Sequence, residues 1–266
     1  MDKIRALVSD ELNMIEERFS NLFEIKNNAF RDLNDFLLGK SKRIRSLICL
    51  LYLKSFGKIV TNEIMDVLFS TELIHNASLL HDDVVDNSTI RRGVPNIYYK
   101  HGPKISVLTG DYILSIAVEK LLGVNNPAVM HLFLDATKRM SEAEIIQFEG
   151  RSGNVSIERY LEIVNGKTAS LFRACIKSAA LISGLEVSLA ERFADNFGII
   201  FQINNDLSPE SVENDKNNGT ATAIDIIGIE KTLDLKDNYK KELSKVLINI
   251  PENCYKKGIE DLIELL

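Results

Sequence analysis

The sequence predicts an all-α fold, a bundle of about ten helices or more around a central cavity. Apolar residues recur at spacings of three and four over most of the chain, the period of helices with one buried face. Only five prolines interrupt that pattern, so few positions force a helix to stop. No stretch alternates apolar and polar residues long enough to compete as a strand, and no segment repeats.

Taken in order, Ile4, Leu7, Val8, Leu12, Ile15, Phe19, Leu22 and Phe23 trace one stripe in residues 2–38, with Gly39 as its stop. Lys40-Ser41-Lys42-Arg43-Ile44-Arg45 then crowds four cations into six residues before an apolar helix from Leu47 to Phe56. A buried helix is expected from Asn62 to Asp86, and Gly93-Val94-Pro95-Asn96 marks a turn. Gly110-Asp111-Tyr112 opens a helix to Leu122. Residues 125–151 form the next, with Glu144 and Gln147 on one face. Ile157 to Val164 leads to Gly166-Lys167-Thr168, and an apolar helix follows to Ile182. The helix over 186–207 is broken at Ser208-Pro209, because the residue before proline avoids the helical conformation. Glu210 to Gly219 is polar and loop-like, and Thr232 to Leu266 reads as two amphipathic helices parted near Pro251.

The 266 residues suit one large domain, residues 1–266, with a sizeable core. A net charge of -6 leaves no basic face for nucleic acid. Cys49, Cys175 and Cys254 are widely spaced, suggesting neither a disulfide framework nor a zinc site. There is no signal-peptide pattern at Met1-Asp2-Lys3 and no apolar run long enough for a transmembrane segment, so the expectation is a cytoplasmic protein.

Chemistry concentrates in Ser78-Leu79-Leu80-His81-Asp82-Asp83-Val84-Val85-Asp86. On a helix Asp82 and Asp86 stand one turn apart on one face, and such paired oxygens suit Mg²⁺, which bridges carboxylates to phosphates. Asp83 lies about 100° round the helix and is the less obvious ligand. An exposed acidic helix end is the bland alternative, weakened here by the apolar lead-in and by Arg91 and Arg92, whose forks suit diphosphate oxygens. Lys42, Arg43 and Arg45 offer a second anion site, although such runs are usually solvated. His75 lies two turns before Asp82 on the same face, where a lone histidine more often belongs to the core. Gly166-Lys167-Thr168 is not a P-loop, since Leu161 replaces the required first glycine.

With these residues in hand, the sequence resembles the trans-polyprenyl diphosphate synthases, enzymes of the isoprenoid synthase fold. His75 to Asp86 with Arg91-Arg92-Gly93 is similar to the family's first aspartate-rich motif, and Lys42-Arg43-Ile44-Arg45 to its GGKRLRP segment with both glycines and the proline changed. Gly110-Asp111-Tyr112, Glu144 with Gln147, Lys167-Thr168 and Phe201-Gln202 fall where the family has further motifs. The resemblance implies an active-site cavity in which Asp82, Asp86 and Asp206 hold Mg²⁺, with Asp83 part of the motif. It implies that Arg91 contacts the allylic diphosphate, that Lys42, Arg45, His75 and Arg92 bind isopentenyl diphosphate, and that Lys167, Thr168 and Gln202 line the allylic side. Asp82, Asp86, Lys167 and Asp206 would be the catalytic set, acting on a geranyl, farnesyl or geranylgeranyl primer in a homodimer.

This sequence departs from the family in the second aspartate motif. Asn204-Asn205-Asp206-Leu207-Ser208-Pro209 keeps only the middle acid, and Thr220 replaces the lysine of NDLxxGKxT after Asn214-Asp215. Weakened metal binding at this wall is the expectation, with Glu210 a possible substitute. Ala77 and Ser78, one turn before Asp82, are small and leave room for a growing tail, with Ile74 deeper, which favours products longer than the fifteen-carbon farnesyl chain. Two other readings compete. A class I terpene cyclase would begin its second motif at Asn205-Asp206, but Pro209 occupies the hydroxyl position. A catalytically weak subunit of a heteromeric prenyl synthase would explain the eroded motif but not the complete isopentenyl set.

Overall fold

The computed structural model describes residues 1–39, 41–150, 155–208 and 220–266. It is helical almost throughout, and its contacts group into two compact units. One comprises Val8–Leu50 and Val60–Asn126; the other comprises Met1–Leu7, Leu51–Ile59 and Pro127–Leu266. No helix among the described residues is long and apolar enough to cross a membrane.

The N-terminal stripe is not one helix but three pieces: α1 (Asp2–Ala6), α2 (Ser9–Ser20) and α3 (Asn28–Leu38). Val8, at φ -136°, parts the first two. Asn27 starts the third by accepting the Phe30 amide at 3.1 Å, so a polar side chain overrides the apolar period. The stripe is nonetheless buried: Ile15 and Phe19 are fully enclosed, and Phe19 meets Phe69 edge-on at 4.8 Å. In α4 (Ile44–Ser55), every residue from Leu47 to Leu53 is inaccessible to solvent, the mark of a helix that is apolar all round.

In the first unit, α5 (Asn62–Val85) matches its predicted span. Thr61 caps it, and Asp86 follows its last turn. The turn after it is a small antiparallel hairpin, β1 (Ile90–Arg91) and β2 (Val94–Pro95), closed by Arg92 and Gly93, both at positive φ as a type I′ turn requires. The next helix, α6 (Ile97–Gly123), begins well before Gly110. Asn96 caps it, and it breaks once, at Gly102 (φ 79°) before Pro103. Gly110 is therefore a mid-helix residue lying under the His81 ring. α5 and α6 are tied by Ser70 Oγ donating to Ala117 O (3.2 Å) and Ser106 Oγ donating to Leu80 O (2.9 Å).

The second unit holds α7 (Pro127–Gly150), α8 (Ile157–Val164), a π turn at Asn165–Ala169, α9 (Ser170–Ile182) and α10 (Val187–Asp206). The π turn was not legible as such; it is where Gly166-Lys167-Thr168 sits. Beyond the undescribed segment come α11 (Ala223–Ile227), opened by a Thr222/Asp225 capping box, then α12 (Ile229–Leu247) and α13 (Cys254–Leu265). The last two are the predicted amphipathic pair, while α11 was unexpected.

α10 comes so close to the π turn that a Cβ on Gly198 would lie 2.7 Å from Ala169 Cα. Backbone cannot rotate away as a side-chain tip can. Gly198→Ala is therefore expected to cost about 1–3 kcal/mol, the usual penalty of overpacking, read as a lower urea midpoint at unchanged m-value. An unaltered midpoint would mean that the helix and the turn slide apart freely.

Candidate active site

Each unit carries a cluster of the residues singled out by sequence. In the first, the three carboxylates arrive at the C-terminal end of α5, where the helix dipole is already negative. That placement disfavours anions, and a cation bound there relieves it. Asp82 and Asp86 are part-exposed, one turn apart. Asp83 is different: its side chain is fully enclosed and takes Arg91 Nε at 2.9 Å and Nη2 at 2.5 Å. Burial raises the Asp83 pKa, and the Arg91 guanidinium only partly offsets it. The structure thus assigns Asp83 to holding Arg91, and Arg91 points two donors at one protein oxygen.

Around His75, two turns before Asp82, the cations collect. The His75 pKa lies well below 6.5, first because the half-buried ring is poorly solvated in its charged form and then because Arg45, Arg92, Arg91 and Arg43 oppose a further positive charge. The ring is neutral at pH 7. Arg45 is 8% exposed. Arg92 lies over the Phe36 ring at 5.6 Å, with Phe36 O at 3.4 Å and Asn76 Oδ1 at 3.5 Å. Its own pKa is lowered, chiefly by burial and then by Arg43 and Arg91. Gathering mutually repelling guanidiniums costs stability, so the arrangement is suited to a multiply charged anion. Lys42 is exposed at the edge of this set, and Lys40 lies outside the described residues.

Arg43 belongs to the interior. It donates to both Glu16 oxygens (2.9 and 3.0 Å) and to Leu37 O (2.7 Å), and it lies over Phe19 at 4.2 Å. Glu72 stands 3.8 Å from it and accepts the Ser46 hydroxyl (2.7 Å) and amide (3.2 Å). Sequence reading missed Glu72, although a lone acid within the apolar run of α5 was a signal that a buried cation must meet it.

The electrostatics give a pH prediction. Because folding depresses the His75 pKa, the unfolded chain takes up a proton below 6.5 that the folded chain refuses. This group's contribution is therefore present above pH 6.5 and is lost as the pH falls toward the folded pKa. The ring proton signals should titrate well below 6.5 in the free protein and shift upward when inorganic pyrophosphate is added. Titration near 6.5, indifferent to pyrophosphate, would show that no anion site surrounds the ring.

In the second unit a cavity of roughly 440 Å³ is lined by Gln147, Tyr160, Lys167, Thr168, Gln202 and Thr220, among others. Lys167 is ion-paired with Glu144. Thr168 Oγ1 donates to Gln202 Oε1 at 2.9 Å, and Gln202 Nε2 donates to Asp206 Oδ1 at 2.8 Å. Asp206 Oδ2 accepts the Tyr160 hydroxyl at 2.7 Å and the Ala223 amide at 3.0 Å. Burial raises the Asp206 pKa against those three donors. Gln147 Nε2 reaches Thr220 Oγ1 at 3.3 Å, so two neutral groups meet where the resemblance leads one to look for a lysine. Tyr160 was not anticipated; within α8 it reads as one more apolar-face residue.

Asp82 and Asp86 fit a divalent cation: two reachable carboxylates on one face, with coordination left for water and phosphate. The Asp206 side does not fit in the same way, since that carboxylate is 1% exposed and already takes three protein donors. Among the described residues no group of three or more His, Cys, Asp or Glu is arranged to hold a metal. Pro209, Glu210, Asn214 and Asp215 lie outside the described residues. Ile74 and Ala77 are buried, and Ser78 turns its hydroxyl back to His75 O at 2.9 Å.

An all-α chain bearing acids at a helix end and a nest of guanidiniums has the architecture of an isoprenoid synthase. A polyprenyl synthase from Caulobacter crescentus, complexed with calcium and isoprenyl diphosphate, superposes with a TM-score of 0.88 at 23% identity, over 99% of this chain and 96% of that one. An isoprenoid synthase family member from Thermotoga neapolitana gives 0.83 at 25% identity, over 96% and 98%. The polyprenyl synthetase family model matches residues 27–254, and the chain belongs to that family. Its relatives include a decaprenyl-diphosphate synthase of Dictyostelium discoideum, 35% identical over 70% of this chain and 41% of the relative. The heptaprenyl diphosphate synthase component 2 of Geobacillus stearothermophilus is 30% identical over 77% and 66%. The match thus spans less than two thirds of each of these curated relatives.

Proposed function

We propose that the protein is a Mg²⁺-dependent trans-prenyltransferase that condenses isopentenyl diphosphate with an allylic diphosphate, geranyl, farnesyl or geranylgeranyl, to give a chain longer than farnesyl. The observation that carries this reading is the pairing, within one unit, of two reachable carboxylates at the end of α5 with a cluster of guanidiniums around a neutral His75. A bound divalent cation would neutralise charge on the departing diphosphate, held by Asp82 and Asp86. Arg45 and Arg92, with Lys42 at the edge, hold the diphosphate of the isopentenyl partner. Neutral His75 donates or accepts a hydrogen bond without adding charge. In the reaction the allylic C–O bond breaks and its electron pair leaves with the diphosphate. The isopentenyl double bond then attacks the allylic carbon, and a proton passes to the released diphosphate. Small side chains at Ala77 and Ser78 support long products.

A second reading is favoured by the enclosed Asp206: a weakly active chain that needs a partner, in keeping with a relative whose name calls it a component. One assay separates them. Purified protein with Mg²⁺, isopentenyl diphosphate and farnesyl diphosphate should yield elongated linear products. Products formed only after a second protein is added would favour the subunit reading, and cyclic hydrocarbons would favour a cyclase. A homodimer belongs to the same proposal and is supported by apolar side chains left exposed on α6, Leu108 among them. Light scattering on the purified chain reads it directly.

A further inference from the structure

Asp206 is the acid that survives in a motif otherwise reduced to Asn205 and Pro209, and its surroundings differ in kind from those of Asp82. Its donors come from three separate places: Tyr160 on α8, Gln202 one turn back on α10, and Ala223 at the start of α11. A carboxylate has about four acceptor positions, and three are filled here at ordinary hydrogen-bond distances. A metal ion at this carboxylate would find at most the one remaining acceptor position, and to gain a second it would have to displace a donor, at about 1–3 kcal/mol where that donor is buried as Tyr160 and Ala223 are.

The direction of these hydrogen bonds matters as much as their number. An ionised carboxylate only accepts, so Gln202 must turn its amide nitrogen toward Asp206. Its carbonyl is then directed away and receives the Thr168 hydroxyl. One buried acid thereby fixes the rotamer and the amide orientation of Gln202 and the hydroxyl of Thr168, both of which line the cavity. The same wall is neutral where Gln147 meets Thr220.

We propose that this wall works without a metal, with Asp206 as a positioning residue. Anchored by Tyr160 and the Ala223 amide, it holds Gln202, with Thr168 locking the far end of that amide, so that the second Nε2 hydrogen, the one not given to Asp206, is the donor offered to a diphosphate. Metal binding then falls to Asp82 and Asp86. The diphosphate part of this inference rests on the prenyl-transfer reading; the positioning part does not.

The experiment has three arms, on the full chain and its variants Asp82→Asn, Asp206→Asn and Tyr160→Phe. Mn²⁺ binding is read by electron paramagnetic resonance with inorganic pyrophosphate present. Asp82→Asn should weaken it at least about tenfold, as loss of a metal carboxylate does, while Asp206→Asn stays within about twofold of the parent. A tenfold loss in Asp206→Asn would overturn the inference. Pyrophosphate affinity at saturating Mn²⁺ should fall about threefold to tenfold in both Asp206→Asn and Tyr160→Phe, the value of one hydrogen bond. Tyr160→Phe touches neither charge nor metal, so an unchanged affinity there would overturn the positioning role. The third arm is a double-mutant cycle between Tyr160→Phe and Asp206→Asn by urea unfolding with chelator and no ligand. Non-additive losses support the anchor, and additive ones overturn it. A parent protein that binds neither Mn²⁺ nor pyrophosphate would remove the prenyl-transfer reading, and the cycle would still decide whether Tyr160 anchors Asp206.

Discussion

Asp82→Ala is expected to lower turnover by about a thousandfold, some 4 kcal/mol of transition-state stabilisation, with little change in folding stability. Asp82 is part-exposed at the end of α5, where removing a negative charge from the negative pole of a helix relieves an unfavourable dipole interaction. On the proposed prenyl-transfer reading, what is lost is a charge that would hold a divalent cation, which would supply stabilisation to a departing diphosphate. Asp86→Ala should behave alike. Asp83→Ala is the internal control: that carboxylate is enclosed and bound to Arg91, so its loss should lower the unfolding midpoint as well as displace Arg91. Steady-state rates over a Mg²⁺ series, beside urea unfolding of each variant, read all three. Asp206→Ala should cost much less turnover than Asp82→Ala, and equal losses would mean that the second wall holds metal after all.

The contrast between Asp82 and Asp83 shows where sequence reading succeeds and where it stops. Helical periodicity placed α5 from Asn62 to its end, and with it the shared face of Asp82 and Asp86. The about 100° offset of Asp83 was also arithmetic, but its partner was not, because Arg91 reaches it only after a type I′ turn folds the chain back. Elsewhere local signals misled. Gly110 read as a helix start and lies mid-helix under His81; the break falls instead at Gly102. The stripe from Ile4 to Phe23 was real as a buried face, yet the Asn27 cap begins a new helix before residue 38. In the Lys42-Arg43-Ile44-Arg45 run, composition could not tell which cation faces a ligand and which is buried in the protein. That distinction depends on Glu16 and Glu72, which lie 27 and 29 positions away from Arg43 and are visible only once folded.

Arg43 is accordingly the site of the second large effect, on stability first and binding second. Arg43→Ala is expected to destabilise the protein by about 3–5 kcal/mol, the range for breaking a buried ion pair from one side. The Arg43 side chain is fully enclosed and that of Glu72 is 2% exposed, so deleting the guanidinium leaves a carboxylate in the core, with the Ser46 hydroxyl and amide as donors but without its buried countercharge. It also empties a space against Phe19 and leaves Leu37 O without its donor. Arg43→Lys should recover only part of the loss, since an ammonium cannot fork onto both Glu16 oxygens while reaching Leu37 O. Combining Arg43→Met with Glu72→Gln removes both charges at similar volume, and the pair should be markedly more stable than Arg43→Ala. Arg43 itself sits at φ 46°, between Lys42 and the first turn of α4, which carries Arg45. An arginine in that conformation stays there only when its side chain is tied down, so releasing it should loosen the presentation of both neighbouring cations. Urea unfolding reads the first effect. Pyrophosphate titration of the Arg43→Met, Glu72→Gln pair reads the second, and unchanged affinity in that folded variant would show that Lys42 and Arg45 are held without Arg43.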